Sequence, residues 1–351
     1  MTLDPMRHDS HAPRVIFPSL SSLRFATVRA MRYLGTILLC FAVGCGASNP
    51  SHGGGGSGGT GGGGSGGTGG GGSGGSGGGT GTNGCTDAAK LIYVIDQNGT
   101  FSSFKPDQTD ITKSVFTDIG MLNCSAGGGF QPFSMSVDRN ANAWVEYVKQ
   151  GLGGASNKLF KVSTTNASCS ATTFASGQQG FNEFGMGFVS NAAGATDETL
   201  FIGGGSAVGM GASYLGTLDI TNFMVMRGSG INGDPELTGT GTAQLWGFFP
   251  VTANNDMARV SMLDKMSAAE SMQIPLSGSD FTQVAGAWAF AFYGGDFWVF
   301  LGASNGVSAD PTVVYRVTTA GGMQPVGMLP TNTRHIVGAG VSTCAPTTPI
   351  G

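Results

Sequence analysis

The sequence predicts an all-β fold, built as a closed ring of five four-stranded sheets. Three observations predict it. From residue 85 onward the chain is a series of short β-rich runs separated by Gly, Asn and Asp turns, with no helical periodicity. One five-residue alternation of large and small side chains recurs five times, at separations of 51, 53, 51 and 49 residues. The fifth recurrence runs into the C-terminus, and the strands it lacks stand at the start of the region.

The recurring segments are Phe133-Ser134-Met135-Ser136-Val137, Phe184-Gly185-Met186-Gly187-Phe188, Leu237-Thr238-Gly239-Thr240-Gly241, Trp288-Ala289-Phe290-Ala291-Phe292 and Val337-Gly338-Ala339-Gly340-Val341. Alternation at period two makes each one a strand. The third is imperfect, because Gly239 and Gly241 occupy large slots. Three further β-rich runs follow each of the first four. Four strands at a spacing near 50 residues describe the blade of a β-propeller. In the ring, the first strand of each blade lies nearest the axis. A narrow five-fold axis explains why Ser134, Gly185, Thr238, Ala289 and Gly338 are small: they are expected to point at it. Their large neighbours are expected to fill the cores between blades.

The last blade takes its first strand from 337–341 and its other three from Leu91–Ile95, Thr100–Phe104 and 115–119. Joining the termini in one sheet leaves no seam in the ring. Cys344 and Cys85 then become neighbours, so the predicted disulfides are Cys85–Cys344, locking the ring, and by remainder Cys124–Cys169. Four cysteines alone would allow three pairings.

Upstream of this region the chain changes character twice. Residues 1–45 carry five arginines against two acids, then an apolar run, Tyr33–Gly44, too short to span a bilayer. It ends in Ala42-Val43-Gly44-Cys45. This tetrapeptide resembles the lipobox of bacterial lipoprotein signal peptides, with Ala42 where that family prefers Leu. The resemblance implies cleavage before Cys45 and acylation of its thiol and new amine. It also implies retention at the outer membrane, on its periplasmic or cell-surface face, since Gly46 rather than Asp follows. Met31 offers an alternative start, which would make residues 1–30 an artefact. Residues 46–84 form a Gly/Ser/Thr-rich linker with three copies of an eight-residue unit. It has nothing apolar to bury and is expected to be a disordered tether with an r.m.s. span of about 35 Å. Residues 85–351 are expected to be the propeller.

Composition excludes several functions. Of 351 residues 63 are Gly, but there is no G-x-y period, so the chain is not collagenous. The net charge of -4 and the scarcity of charged residues, at 11%, argue against a nucleic-acid partner. His335 is the one histidine beyond the linker, so no His-rich metal site is expected and no cofactor motif is present; Gly203-Gly204-Gly205 is not followed by Lys. Asp138-Arg139-Asn140-Ala141-Asn142 lacks the Gly and Glu of a calcium loop and reads as an Asx-rich hairpin turn.

Polar residues just upstream of the five repeats should rim the axis: Gln131, Asn182, Glu183, Glu236, Arg334 and His335. Strand parity turns Glu183 and Glu236 the same way as the small residues. In outline, five-bladed propellers are similar to arabinanase-type glycosidases and to a class of sugar-binding lectins. Two carboxylates of different pKa suit glycosidic cleavage, yet those glycosidases use three acids on three blades. Trp144, Trp246, Trp288 and Trp298 are assigned to inter-blade cores. The reading therefore favours a non-catalytic, monomeric binding or scaffold module, held in a lipid bilayer through Cys45 and meeting a protein or glycan ligand. An exported glycan-active enzyme using Glu183 and Glu236 is the alternative.

Overall fold

The structure is a computed structural model that describes residues 84–107, 114–152, 154–304, 310–326 and 333–349. Residues 1–45, read above as a signal segment ending in Cys45, and residues 46–83 of the expected linker lie outside the described residues. Among the described residues twenty strands run in chain order. They are β1 (Ile92–Asp96), β2 (Thr100–Phe104), β3 (Phe116–Met121), β4 (Gln131–Val137), β5 (Asn142–Lys149), β6 (Ser156–Ser163), β7 (Cys169–Ala171), β8 (Glu183–Ser190), β9 (Glu198–Ala207) and β10 (Met210–Leu218). The rest are β11 (Val225–Ile231), β12 (Glu236–Gly239), β13 (Leu245–Phe249), β14 (Arg259–Leu263), β15 (Glu270–Pro275), β16 (Ala285–Tyr293), β17 (Asp296–Ala303), β18 (Val313–Thr318), β19 (Met323–Pro325) and β20 (Ile336–Gly340).

These strands form five four-stranded antiparallel sheets. Blades I to IV are β4–β7, β8–β11, β12–β15 and β16–β19; blade V has the order β20-β1-β2-β3. The chain is thus a five-bladed propeller closed by one C-terminal and three N-terminal strands. Register across the seam is regular, with Tyr93 opposite Gly340 and Val94 opposite Ala339. Both disulfides form as predicted: Cys85–Cys344 with Cα atoms 5.8 Å apart, and Cys124–Cys169 at 5.1 Å. The second ties the segment after blade V to the outer strand of blade I.

Each inner strand has two faces with different duties. The large residues face the preceding blade. Met135 and Val137 join Ile95 and Phe101 of blade V, and Phe184, Met186 and Phe188 join Trp144 and Leu159 of blade I. Leu237 meets Phe201 of blade II, Phe290 and Phe292 meet Phe248 of blade III, and Val341 meets Trp298 and Phe300 of blade IV. Five separate cores result, one per interface, each Phe contributing about 2–3 kcal/mol by burial.

The small residues face the following blade, and here the structure sharpens the expected cause. At the narrow axis they let neighbouring inner strands touch. A Cβ on Gly185 would lie 2.2 Å from the carbonyl oxygen of Pro235, and one on Gly340 2.9 Å from Cα of Ser136. Ser136 Oγ accepts the backbone N–H of Phe188 at 3.1 Å, and Thr238 Oγ1 that of Phe292 at 3.1 Å. Two blades apart, Ser134 Oγ donates to Glu236 Oε2 at 2.9 Å, so the axis is filled. The irregular third repeat follows the same rule: a Cβ on Gly239 would meet Phe188 O at 2.2 Å and Val189 Cγ2 at 2.4 Å, so the preceding blade already fills that large slot.

β9 and β10 are the longest strands of blade II, because pairing continues through Gly203, Gly204 and Gly205. The hairpin they make extends past Glu183, the first residue of β8. Asp138 does cap an Asx-rich turn, accepting the backbone N–H groups of Asn140 and Asn142.

Candidate functional site

Where the five inner strands begin, the axis opens into a cup. One part, of about 80 Å3, is lined by Pro132 and Phe133 of β4, Glu236 of β12, Gly286–Trp288 of β16 and Val337 of β20. A contiguous crevice of about 10 Å3 shares Phe133, Glu236 and Trp288 with it, and adds Glu183, Asp234 and Val208. Phe133, Trp288 and Val337 are half-buried, with one side on the cup. Trp144, Trp246 and Trp298 are core residues as assigned; Trp288 is the correction, because it packs on a core and also walls the mouth.

Four carboxyl groups gather beneath and beside this cup. Glu236 is buried, and burial pushes its pKa well up, against the lowering effect of the Ser134 hydroxyl; nearby Glu146 raises it further. Glu146, on β5, is buried and raised for the same first reason, although Asn157 Nδ2 at 2.7 Å and Phe184 N at 3.2 Å donate to it. Glu183 is also raised, chiefly by burial. It accepts Val208 N at 2.7 Å and Gln150 Nε2. Asp234 accepts Gly209 N at 2.7 Å and Ser213 Oγ at 2.6 Å. The overhanging β9–β10 hairpin therefore supplies the N–H groups that hold Glu183 and Asp234.

Glu183 and Glu236, singled out by parity, thus share one pocket. The other rim residues do not line it. Gln131 is exposed at the start of β4, and Asn182 donates its backbone N–H to Gly205 O. Arg334 reaches along blade V instead: Nε to Asp96 Oδ2 at 3.0 Å, Nη1 to Asp118 Oδ1 at 3.0 Å, and Nη2 to Ser102 Oγ at 3.0 Å. His335 binds Gln97 N through its carbonyl, and its Nδ1 is buried without a hydrogen-bond partner among the described residues. Sequence reasoning missed Glu146 and Asp234. A lone acid inside the run Trp144-Val145-Glu146-Tyr147 was the available signal for the first; Asp234 lies in the turn just ahead of β12 and carried none.

Among the described residues no group of three or more His, Cys, Asp or Glu side chains is placed to hold a metal ion. No helix among them is long and apolar enough to cross a membrane.

No family model matches the chain, and no curated protein matches it. Solved structures show distant likeness. A mannose phosphorylase from Leishmania mexicana, in complex with phosphate ion, has a TM-score of 0.38 and 10% identity, over 62% of this chain and 71% of that one. An exo-beta-1,3-galactanase from Phanerochaete chrysosporium has a TM-score of 0.37 and 10% identity, over 56% of this chain and 53% of that one. The Dos1 propeller has a TM-score of 0.31 and 11% identity, over 72% and 59%. The five sheets themselves, rather than these likenesses, establish the architecture.

Proposed function

We propose that this chain is an exported, lipid-anchored binding module. Cys45 is acylated and holds it in a bilayer, residues 46–84 serve as the tether, and the propeller presents its axial cup to a ligand. Two disulfides among the four described cysteines suit the oxidising compartment this requires. The observation that carries the binding reading is the cup itself. All five inner strands border it, it keeps aromatic and aliphatic side chains half-exposed, and its carboxyl groups are anchored by the protein's own donors.

The test has two arms. Incorporation of an alkyne-tagged palmitate should label the full chain and fail in Cys45→Ser. Glycan-array and pull-down screens with the full chain should yield a ligand whose capture is lost in Trp288→Ala. Labelling that survives Cys45→Ser removes the anchor; capture indifferent to Trp288 removes the cup as the binding site. One observation favours the enzymatic alternative: Glu183 and Glu236 line the same pocket. Glycan turnover abolished by both Glu183→Gln and Glu236→Gln would establish it in place of simple binding.

A further inference from the structure

A binding role for the axial cup can be sharpened to a chemical class of ligand. Resting on that role, we propose that the cup takes the methylated head of an organic cation, an alkylammonium seated against Trp288 and Phe133 above the Glu236 carboxyl.

Four observations lead there. The walls of the mouth are aromatic and aliphatic, from Phe133, Trp288, Val337 and Pro132. Aromatic faces carry negative charge density and attract a cation lying over them. No Lys or Arg is among the residues lining either part of the cup, whereas Glu183, Asp234 and Glu236 are. No basic side chain of the lining therefore opposes a cation there.

The donor and acceptor inventory disfavours the obvious competitor. A sugar ring brings several hydroxyls, and each must find a partner when desolvated. The acceptors of the cup are partly engaged, Glu183 by Val208 N and Gln150 Nε2, Asp234 by Gly209 N and Ser213 Oγ, and Glu236 by Ser134 Oγ at one oxygen. The remaining lining, Pro132, Gly286, Ala287 and Val337, offers no polar side chain. A methylated ammonium has no N–H to satisfy, so this shortage costs it nothing. At about 80 Å3 the larger part of the cup has room for such a head and not for a folded chain, so the rest of the ligand would lie outside.

The experiment compares choline with its neutral isostere 3,3-dimethylbutan-1-ol and with glucose. Binding to the full chain is followed by saturation-transfer NMR and calorimetry. Choline should bind at least about tenfold more tightly than the isostere, a ratio set by cation–π attraction. Trp288→Ala should abolish binding and Trp288→Phe should keep most of it. Equal binding of choline and the isostere overturns the inference, as does absence of choline binding, or choline binding untouched by Trp288→Ala. If Trp288→Ala does not fold, the isostere ratio and Trp288→Phe decide alone. If choline fails while another ligand is captured through Trp288, the cation inference falls and the binding reading stands. If no ligand is captured through Trp288, both fall.

Discussion

Blades V and II are built from the same four-stranded plan but spend their side chains differently. Blade V joins the two ends of the domain, and cross-links cluster there. Cys85–Cys344 lies at its closing strand, Cys124–Cys169 fixes the segment leaving it, and Arg334 binds Asp96, Asp118 and Ser102 within it. Neither disulfide involves blade II. It brings Glu183 into the cup, lends Phe184 N to Glu146, and overhangs the mouth with a hairpin that carries Val208 and Gly209. Fastening and chemistry are thus placed on different blades. A ring permits this, because each blade needs only its two neighbours to stay in place.

The sharpest way to break the comparison is to cut the fastening. The Cys85–Cys344 bridge spans 259 residues, so in the chain-entropy picture it contributes about 5 kcal/mol. Cys344→Ser, with Cys85 also changed to Ser to avoid a free thiol, should lower the melting temperature by about 10 °C or more in calorimetry. A change under about 3 °C would show that strand pairing across the seam suffices without the bridge.

The second test uses one position in both blades. Gly185 and Gly338 fill the same small slot, but what lies against them differs. A Cβ on Gly185 would strike backbone, Pro235 O at 2.2 Å and Glu236 Cα at 2.7 Å; a Cβ on Gly338 would first meet Ile95 Cγ2 at 2.9 Å and Met135 Cγ at 3.0 Å. Side chains yield more readily than a strand. Gly185→Ala should cost about 3 kcal/mol in chemical denaturation and Gly338→Ala about 1 kcal/mol. Equal costs would mean that the slots are governed by something other than contact between inner strands.

Arg334→Met comes third. It strands Asp96, whose side chain is 4% exposed, while Asp118 is 65% exposed and loses little. The expected cost is about 2 kcal/mol, nearly all from the buried partner. The double variant with Asp96→Asn should recover at least half of it in the same denaturation assay; no recovery would assign Arg334 a role outside this pair.

The ring was legible because its constraint repeats. Contact between inner strands demands a small residue at the same phase in each blade, and five recurrences outweigh one irregular copy. Even the irregularity has a local cause in Val189. The cystine pairing was legible as a consequence of the ring. The site was legible only in part. Glu183 and Glu236 could be placed by parity, since position along an inner strand is a local property. Glu146 and Asp234 could not, because what defines them is a donor 38 or 25 residues away. Trp288 was assigned to a core because a tryptophan in a strand carries no mark of which end of the strand is open. The Gly203–Gly205 run has no side chains to show a strand's alternation, although glycine in a strand can mark close approach of another backbone.

The most gradual expected effect concerns pH, and it reaches across both blades. Glu198 of β9 accepts Arg139 N at 2.8 Å and Thr343 Oγ1 at 2.8 Å, so it joins blade II to the hairpin turn of blade I and to the segment after β20. Burial raises its pKa from 4.5 to about 7, with these two hydrogen bonds working against the rise. An acid with a raised folded-state pKa favours the folded form while protonated. Its contribution is complete below the unfolded value near 4.5 and disappears as pH climbs toward 7. Stability should therefore fall across that window, by at most about 1.4 kcal/mol per pH unit, and level off above it. Glu198→Gln should flatten this part of the stability–pH curve measured by urea unfolding. The raised Glu183 pulls in the same direction from within blade II. A slope unchanged by Glu198→Gln but removed by Glu183→Gln would move the pH response from the fastening to the cup.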